Sequence, residues 1–348
     1  MEIRTCGKTK LKLPVIGMGC WAFGGGEYWG PQSQADVDTV VAEALDRGVT
    51  YFDTAEMYNH GTSETSLGLA LKGRRDRGIV GSKISPSNTT PAVLRAHCEA
   101  SLRRLQTDHL DIYMVHWPIT ANSLRHYTTD AALLANPPST ADAFATLMAL
   151  QREGKIRHVG VSNFGVKQMT EVLATGVELA LNELPYNLLM RGIEPEIIPF
   201  CRRAGIGILG YMTLMQGVLS KRFSSFDELP PIRTRTRHFA GTRPGSRHGE
   251  PGIEPPTKAA LAAITRIADD AGLPVGELAL AWALANPAIT CVLAGSRNAG
   301  QLAGNLQAAE RRLTPDQLAQ LNAATAEVLA LLGPHADYFQ DANDQRTE

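Results

Sequence analysis

Short apolar runs alternate along the chain with longer segments whose apolar positions recur at helical spacing. Val15-Ile16-Gly17-Met18-Gly19 reads as a buried strand. Behind a Ser33 cap, Val37, Val40, Val41, Ala44 and Leu45 then fall on one face of a helix. The unit repeats: strands at 50–54, 78–83, 110–116, 158–162, 179–183, 206–211 and 289–294, helices at 63–72, 91–105, 140–153, 166–174, 194–203 and 258–271. A helix at 275–285 precedes the last strand and one at 298–307 follows it. Thr90 and Pro91 open the helix at 91–105 as cap and first helical residue. Strand–helix alternation of this kind predicts a parallel sheet covered on both faces, and eight units predict closure into an α/β (β/α)8 TIM barrel. Two extended pieces around Gly7-Lys8-Thr9, within residues 2–14, predict an amino-terminal hairpin. Thr314-Pro315-Asp316-Gln317 is a capping box expected to open a last helix of about four turns. Residues 1–333 are read as a single barrel domain and 334–348 as a loose polar tail. Long loops at 118–139 and 212–257 follow strands and so belong to the carboxyl face.

Composition narrows the partners. A chain of 348 residues and 37.5 kDa suffices for one such barrel, and a formal net charge of −1 with scattered Lys and Arg gives no footprint for nucleic acid or a membrane surface. The five cysteines are widely spaced and form no Cys-x-x-Cys pair. The start Met1-Glu2-Ile3-Arg4 does not read as a signal peptide, and no apolar run approaches membrane-spanning length. A cytoplasmic protein with a small-molecule partner is expected; its oligomeric state is left open.

Candidate chemistry sits at strand ends. Asp53 closes one strand and Tyr58 follows on its loop; Lys83 and His116 close the next two. Each alone reads as a cap, a packed ring, a solvated amine or a satisfied imidazole. Convergence on the carboxyl mouth of a barrel would make them a proton-transfer group, since a phenol acts as general acid near neutrality only where a neighbour lowers its pKa. Gly17-x-Gly19-x-x-Ala22 matches a relaxed dinucleotide fingerprint, but Phe23-Gly24-Gly25-Gly26 is a poor place to start the helix that fingerprint needs. No histidines show paired metal-ligand spacing, so no metal is expected. The run Arg233, Arg235, Arg237, Arg243, Arg247 reads as either a solvated loop or a lid over anions, with Arg233 the first candidate.

Several of these segments together resemble the aldo-keto reductase superfamily over nearly the whole chain. They are Gly17-x-Gly19-x-Trp21, Asp53 to Tyr58, Gly81-Ser82-Lys83, His116-Trp117-Pro118 and Gly154-Lys155-Ile156-Arg157-x-x-Gly160-Val161-Ser162-Asn163-Phe164. The bacterial inositol-associated and general aldehyde reductase branch is the most similar. The resemblance implies a catalytic tetrad of Asp53, Tyr58, Lys83 and His116, with Tyr58 protonating a carbonyl, Lys83 lowering its pKa and His116 orienting the substrate. It further implies a nicotinamide cofactor held by Gly19, Trp21, Ser162, Asn163, Glu183, Tyr211, Leu214, Gln216, Gly217, Gly295, Ser296, Arg297, Gln301 and Asn305. Arg297 suits a ribose 2′-phosphate, favouring NADP(H) over NAD(H). Glu183 stands where the family usually has glutamine; as a carboxylate it would accept hydrogen bonds but not donate them.

A substrate pocket is expected from Trp21, Tyr28, Trp29 and Trp117, with His126 and Tyr127 over it. Sugars, keto-sugars, cyclic polyol ketones and simple aldehydes all fit aromatic walls. The leading expectation is an NADP(H)-dependent reductase of an aldehyde or ketone, or the reverse reaction on an alcohol. The alternative is a non-catalytic, cofactor-binding redox sensor.

Overall fold

The computed structural model describes all 348 residues. Strands β3 (Ile16–Gly19), β4 (Tyr51–Asp53), β5 (Ile79–Ile84), β6 (Leu110–Val115), β7 (Ile156–Ser162), β8 (Leu179–Pro185), β9 (Gly207–Tyr211) and β10 (Cys291–Ala294) pair in parallel. They close in sequence order, β10 meeting β3 through Val292 and Ile16. This is the expected TIM barrel, and its parallel strands are apolar on both faces because helices cover the outside.

Before the barrel, β1 (Ile3–Thr5) and β2 (Lys12–Pro14) form the antiparallel hairpin. It closes the amino end of the barrel: Cys6, Leu11 and Leu13 pack with the interior residues Tyr51, Ile112, Met114, Leu181, Leu209 and Leu293. The hairpin turn approaches so closely that a Cβ on Gly7, whose φ is +57°, would lie 2.2 Å from the Gly205 carbonyl oxygen. A second, larger core of 74 buried residues lies between strands and surrounding helices. With one end plugged, the carboxyl end is the open one.

Two sequence expectations change. The last helix is broken into Pro315–Ala324 and Ala326–Leu332, and Thr325 between them bonds its hydroxyl back to Leu321 O at 3.0 Å. Residues 334–348 are not loose: Ala336, Asp337, Tyr338, Phe339, Gln340, Arg346 and Thr347 are all buried. Several of their polar groups pair within the protein, which composition alone cannot register. Asp337 accepts from Arg346 at 2.6 and 2.8 Å, and the Thr347 hydroxyl donates to Asn163 O at 2.8 Å. A Cβ on Gly165 would lie 2.1 Å from Glu348 O, so the chain end seats directly on the start of the helix Val166–Ala174.

Candidate active site

The loops beyond β4 and β5 are tied before any chemistry is considered. Glu56 accepts from Ser85 N at 2.9 Å, Asn88 Nδ2 at 2.8 Å and His97 Nδ1 at 2.7 Å. Asn59 takes a left-handed conformation and donates to Trp21 O at 2.8 Å and Phe23 O at 3.1 Å, binding the Tyr58 loop to the glycine-rich loop after β3. That loop carries no helix until Gln34, so the fingerprint there is a decoy as expected.

At the mouth, Lys83 is fully buried and central. Its Nζ donates to Asp53 at 2.8 and 2.6 Å, to Thr54 O at 3.1 Å and to the Tyr58 hydroxyl at 3.3 Å, with Glu183 Oε1 at 3.4 Å. Burial works against the ammonium, but Asp53 and Glu183 outweigh it and hold its pKa well above the usual lysine range. The His116 ring stands edge-on to Tyr58, centroids 5.7 Å apart, and its Nδ1 is buried without a partner. Burial and then Lys83 push His116 well below its usual pKa, so the imidazole is neutral.

Burial bears on the ionisation of both Tyr58 and Glu183. Burial raises the Tyr58 pKa; Lys83 pulls it back only in part, and Asp53 and Glu183 add to the rise. The resting phenol is therefore fully protonated. Glu183 is also buried, with Oε2 unpartnered, and burial followed by the Asp53 charge raises its pKa well above the carboxylate range. The fold thus favours its protonated form, which can donate a hydrogen bond as glutamine would.

The remaining predicted positions gather around this hub. Tyr211 donates to Asn163 Oδ1 at 2.7 Å; Asn163 donates to His116 O and to Ser162 Oγ, each at 3.0 Å. Ser162 donates to Glu183 O at 3.1 Å. Gly19 and Gly295 lie side by side, a Cβ on Gly19 falling 3.7 Å from Gly295 N. Ser296 is held by Asn305 at 3.0 Å, and Gln301 accepts from Arg297 N at 2.8 Å, beside the Asn298-capped helix Ala299–Glu310. Leu214, Gln216 and Gly217 lie on the loop after β9, where Gln216 takes φ +55° and its Nε2 is buried without a partner. Arg297 reaches across the mouth, donating to Gln32 Oε1 at 2.6 Å, Trp29 O at 2.8 Å and Pro31 O.

Residues 15–326 match the profile described as the Aldo/keto reductase family. The chain belongs to that family. It is 31% identical over 318 residues to the aldo-keto reductase YhdN of Bacillus subtilis (strain 168), 87% of each chain being covered. It is 34% identical over 235 residues to the NADH-specific methylglyoxal reductase of Escherichia coli (strain K12), covering 62% of this chain and 68% of that protein. The crystal structure of an aldo-keto reductase from Klebsiella pneumoniae in complex with NADPH aligns with TM-score 0.69 at 25% identity, covering 100% of this chain and 99% of that one. The protein is thus an aldo/keto reductase, an oxidoreductase acting on carbonyl groups.

Of the aromatic residues expected in the reductase's pocket, Trp21, Tyr28 and Trp29 pack together. Trp21 lies 4.4 Å from Tyr28, 5.4 Å from Trp29 and 5.7 Å from Tyr58 between ring centroids. Trp117 is buried against Phe339 at 6.5 Å. His126 and Tyr127 share the charged neighbours Arg346 and Arg247. Phe339 and Arg346 were missed because they lie in the segment read as a loose tail. Arg235 was seen in the arginine run but not singled out.

Proposed function

We propose that this aldo/keto reductase uses a nicotinamide cofactor, NADP(H) in preference to NAD(H), to reduce an aldehyde or ketone to an alcohol, or to run the reverse. The observation that carries this is the buried Lys83, bonded at once to Asp53 and to the Tyr58 hydroxyl. The cofactor fits the residues present: Gln216 Nε2 lacks a partner, Gly19 and Gly295 leave a bare strip, and Ser162, Asn163 and Tyr211 form one hydrogen-bonded set. Bound there, the nicotinamide supplies or takes the hydride.

The protein's own part is proton transfer. Tyr58 gives its proton to the carbonyl oxygen, and the phenolate it becomes is stabilised by the adjacent ammonium of Lys83. Asp53 holds that ammonium in place and balances its charge during the rest of the cycle. His116, neutral, offers a hydrogen bond to the same oxygen without adding a further cation to the hub. A protonated Glu183 could donate to the carboxamide oxygen or accept from its nitrogen, and so would help hold that group.

Support for NADP(H) comes from the NADPH complex of the Klebsiella relative and from Arg297, whose planar fork matches a phosphate. The NADH-specific relative weighs the other way. Since Arg297 is engaged with the Trp29 loop, a 2′-phosphate must replace one of those contacts. The aromatic walls accept apolar aldehydes, small dicarbonyls and sugar or cyclic polyol rings alike. The five cysteines, all buried and unpaired, suit a reducing cytoplasm.

The test follows NADPH and NADH oxidation with a panel of aldehydes and keto-sugars. Tyr58→Phe is expected to lower kcat by about 10²–10⁴-fold while NADPH affinity stays level. Undiminished turnover in that variant would remove Tyr58 from the proton path.

A further inference from the structure

The carboxyl face gathers a second charged group that proton transfer does not use. Arg235 sits half-buried in an aromatic box, its guanidinium carbon 5.8 Å from the Trp21 ring centroid and 5.4 Å from those of Tyr28 and Phe339. Since Trp21 itself stacks 5.7 Å from Tyr58, a single indole separates this cation from the proton donor. Arg346, delivered by the chain end, lies 3.6 Å over Trp117, the residue after His116. Arg247, exposed to solvent, lies within electrostatic reach of Arg235 and Arg346 at the edge of the group.

The group is under-compensated. Asp337 is its one carboxylate, and both of its oxygens are taken by Arg346. Arg235 and Arg247 have no acid within ion-pair distance, which leaves two positive charges unbalanced. An aromatic box satisfies the faces of a guanidinium but not the donors on its edge. Accordingly Arg235 Nε and the Tyr28 hydroxyl are both buried without a hydrogen-bond partner. Such a cluster is held together at a cost that a bound anion would offset. The cofactor's phosphates are provided for elsewhere: Arg233 and Arg297 collect on Trp29 and Gln216, whereas Arg235 and Arg346 collect on Trp21 and Trp117.

We propose that Arg235, Arg247 and Arg346, with the Tyr28 hydroxyl, form an anion subsite, so that the substrate is a short aldehyde or ketone bearing a carboxylate or phosphate at the end away from its carbonyl. The assignment rests on the reductase reading above. It orients the substrate: the anion anchors among the arginines and the carbonyl reaches Tyr58 and His116 beyond Trp21.

The experiment compares matched pairs with NADPH at saturation: succinic semialdehyde against butanal, and glyceraldehyde phosphate against glyceraldehyde. One anionic member is expected to show kcat/KM about tenfold or more above its neutral partner, the worth of one hydrogen bond to a charged group, through KM rather than kcat. In Arg235→Met, which keeps an apolar stem in the box, that preference ratio collapses towards one. Equal kcat/KM within both pairs, or an unchanged ratio in the variant, overturns the subsite while leaving the reductase reading intact. Separately, tryptophan fluorescence is titrated with succinate and with inorganic phosphate, with and without NADP⁺. A saturable change that Arg235→Met abolishes supports the subsite and tells carboxylate from phosphate; no change with either anion overturns it. Anion binding without turnover of any aldehyde would sink the reductase reading alone.

Discussion

Glu183 shows how one residue's position and its ionisation are separate questions. Its place beside Ser162 and Asn163 is legible from the sequence motif, but its charge state depends on Asp53 and on burial, which only the fold supplies. In the unfolded chain a glutamate titrates at about 4.3. The folded carboxyl holds its proton more tightly, so its stabilising contribution is fully present below the unfolded value and is lost as pH rises towards the folded one. Glutamine has no such proton to lose. The stability of Glu183→Gln relative to the wild type is therefore expected to grow as pH rises above about 4.3, each tenfold gap in proton affinity being worth about 1.4 kcal/mol. Urea unfolding across that range measures it. A difference that stays flat with pH would mean that Glu183 is ionised in the native state and accepts hydrogen bonds only. Tyr58 makes the same point: the motif locates it, yet the balance between burial and Lys83 that keeps it protonated lies in three-dimensional neighbours.

Among the elements, those with a period were legible and those held by pairing were not. Helices Pro91–Leu105, Val166–Ala174 and Val275–Ala285 fall where apolar spacing and breakers place them. Ser33 and Thr314 cap their helices as expected, accepting from Asp36 N and Gln317 N, while Thr90 occupies the cap position without a side-chain bond. The chain end has no period. Its order comes from Asp337 meeting Arg346, a contact that brings Arg346 onto Trp117 and Thr347 onto the Asn163 carbonyl. Asp337→Asn leaves a buried guanidinium without its counter-charge, which is expected to cost about 3–5 kcal/mol if the tail stays docked, or less if it peels away. Hydrogen exchange separates the two. Loss of protection confined to residues 334–348 and to the Lys167 amide, which donates to Glu348 O at 2.9 Å, marks peeling. Protection and stability both unchanged would show that the pair does not hold the tail.

On the scale of the whole molecule, a formal net charge of −1 predicts no long-range attraction for a polyanion. The charges are unevenly matched, however. Around the amino end they are paired: Arg75 and Arg157 both with Asp111, Arg77 with Asp46, Arg95 with Glu153, and Lys155 with Glu99. In the loop after β9 Arg237 and Arg243 have acid partners, but Arg233 and Arg235 face aromatic rings instead. A nearly neutral protein therefore carries a positive mouth, and field lines from such a cluster steer anions into it over a distance set by salt, about 10 Å at 0.1 M. The expected consequence is that kcat/KM for NADPH falls about tenfold as ionic strength rises from about 10 mM to about 150 mM, because capture slows. kcat should hold steady, since Lys83 and Asp53 are buried and little screened. Steady-state rates with a neutral aldehyde at each salt concentration isolate the cofactor's share. If kcat/KM does not respond to salt, the mouth's arginines are balanced in solution, and attraction at the site is confined to contact distance.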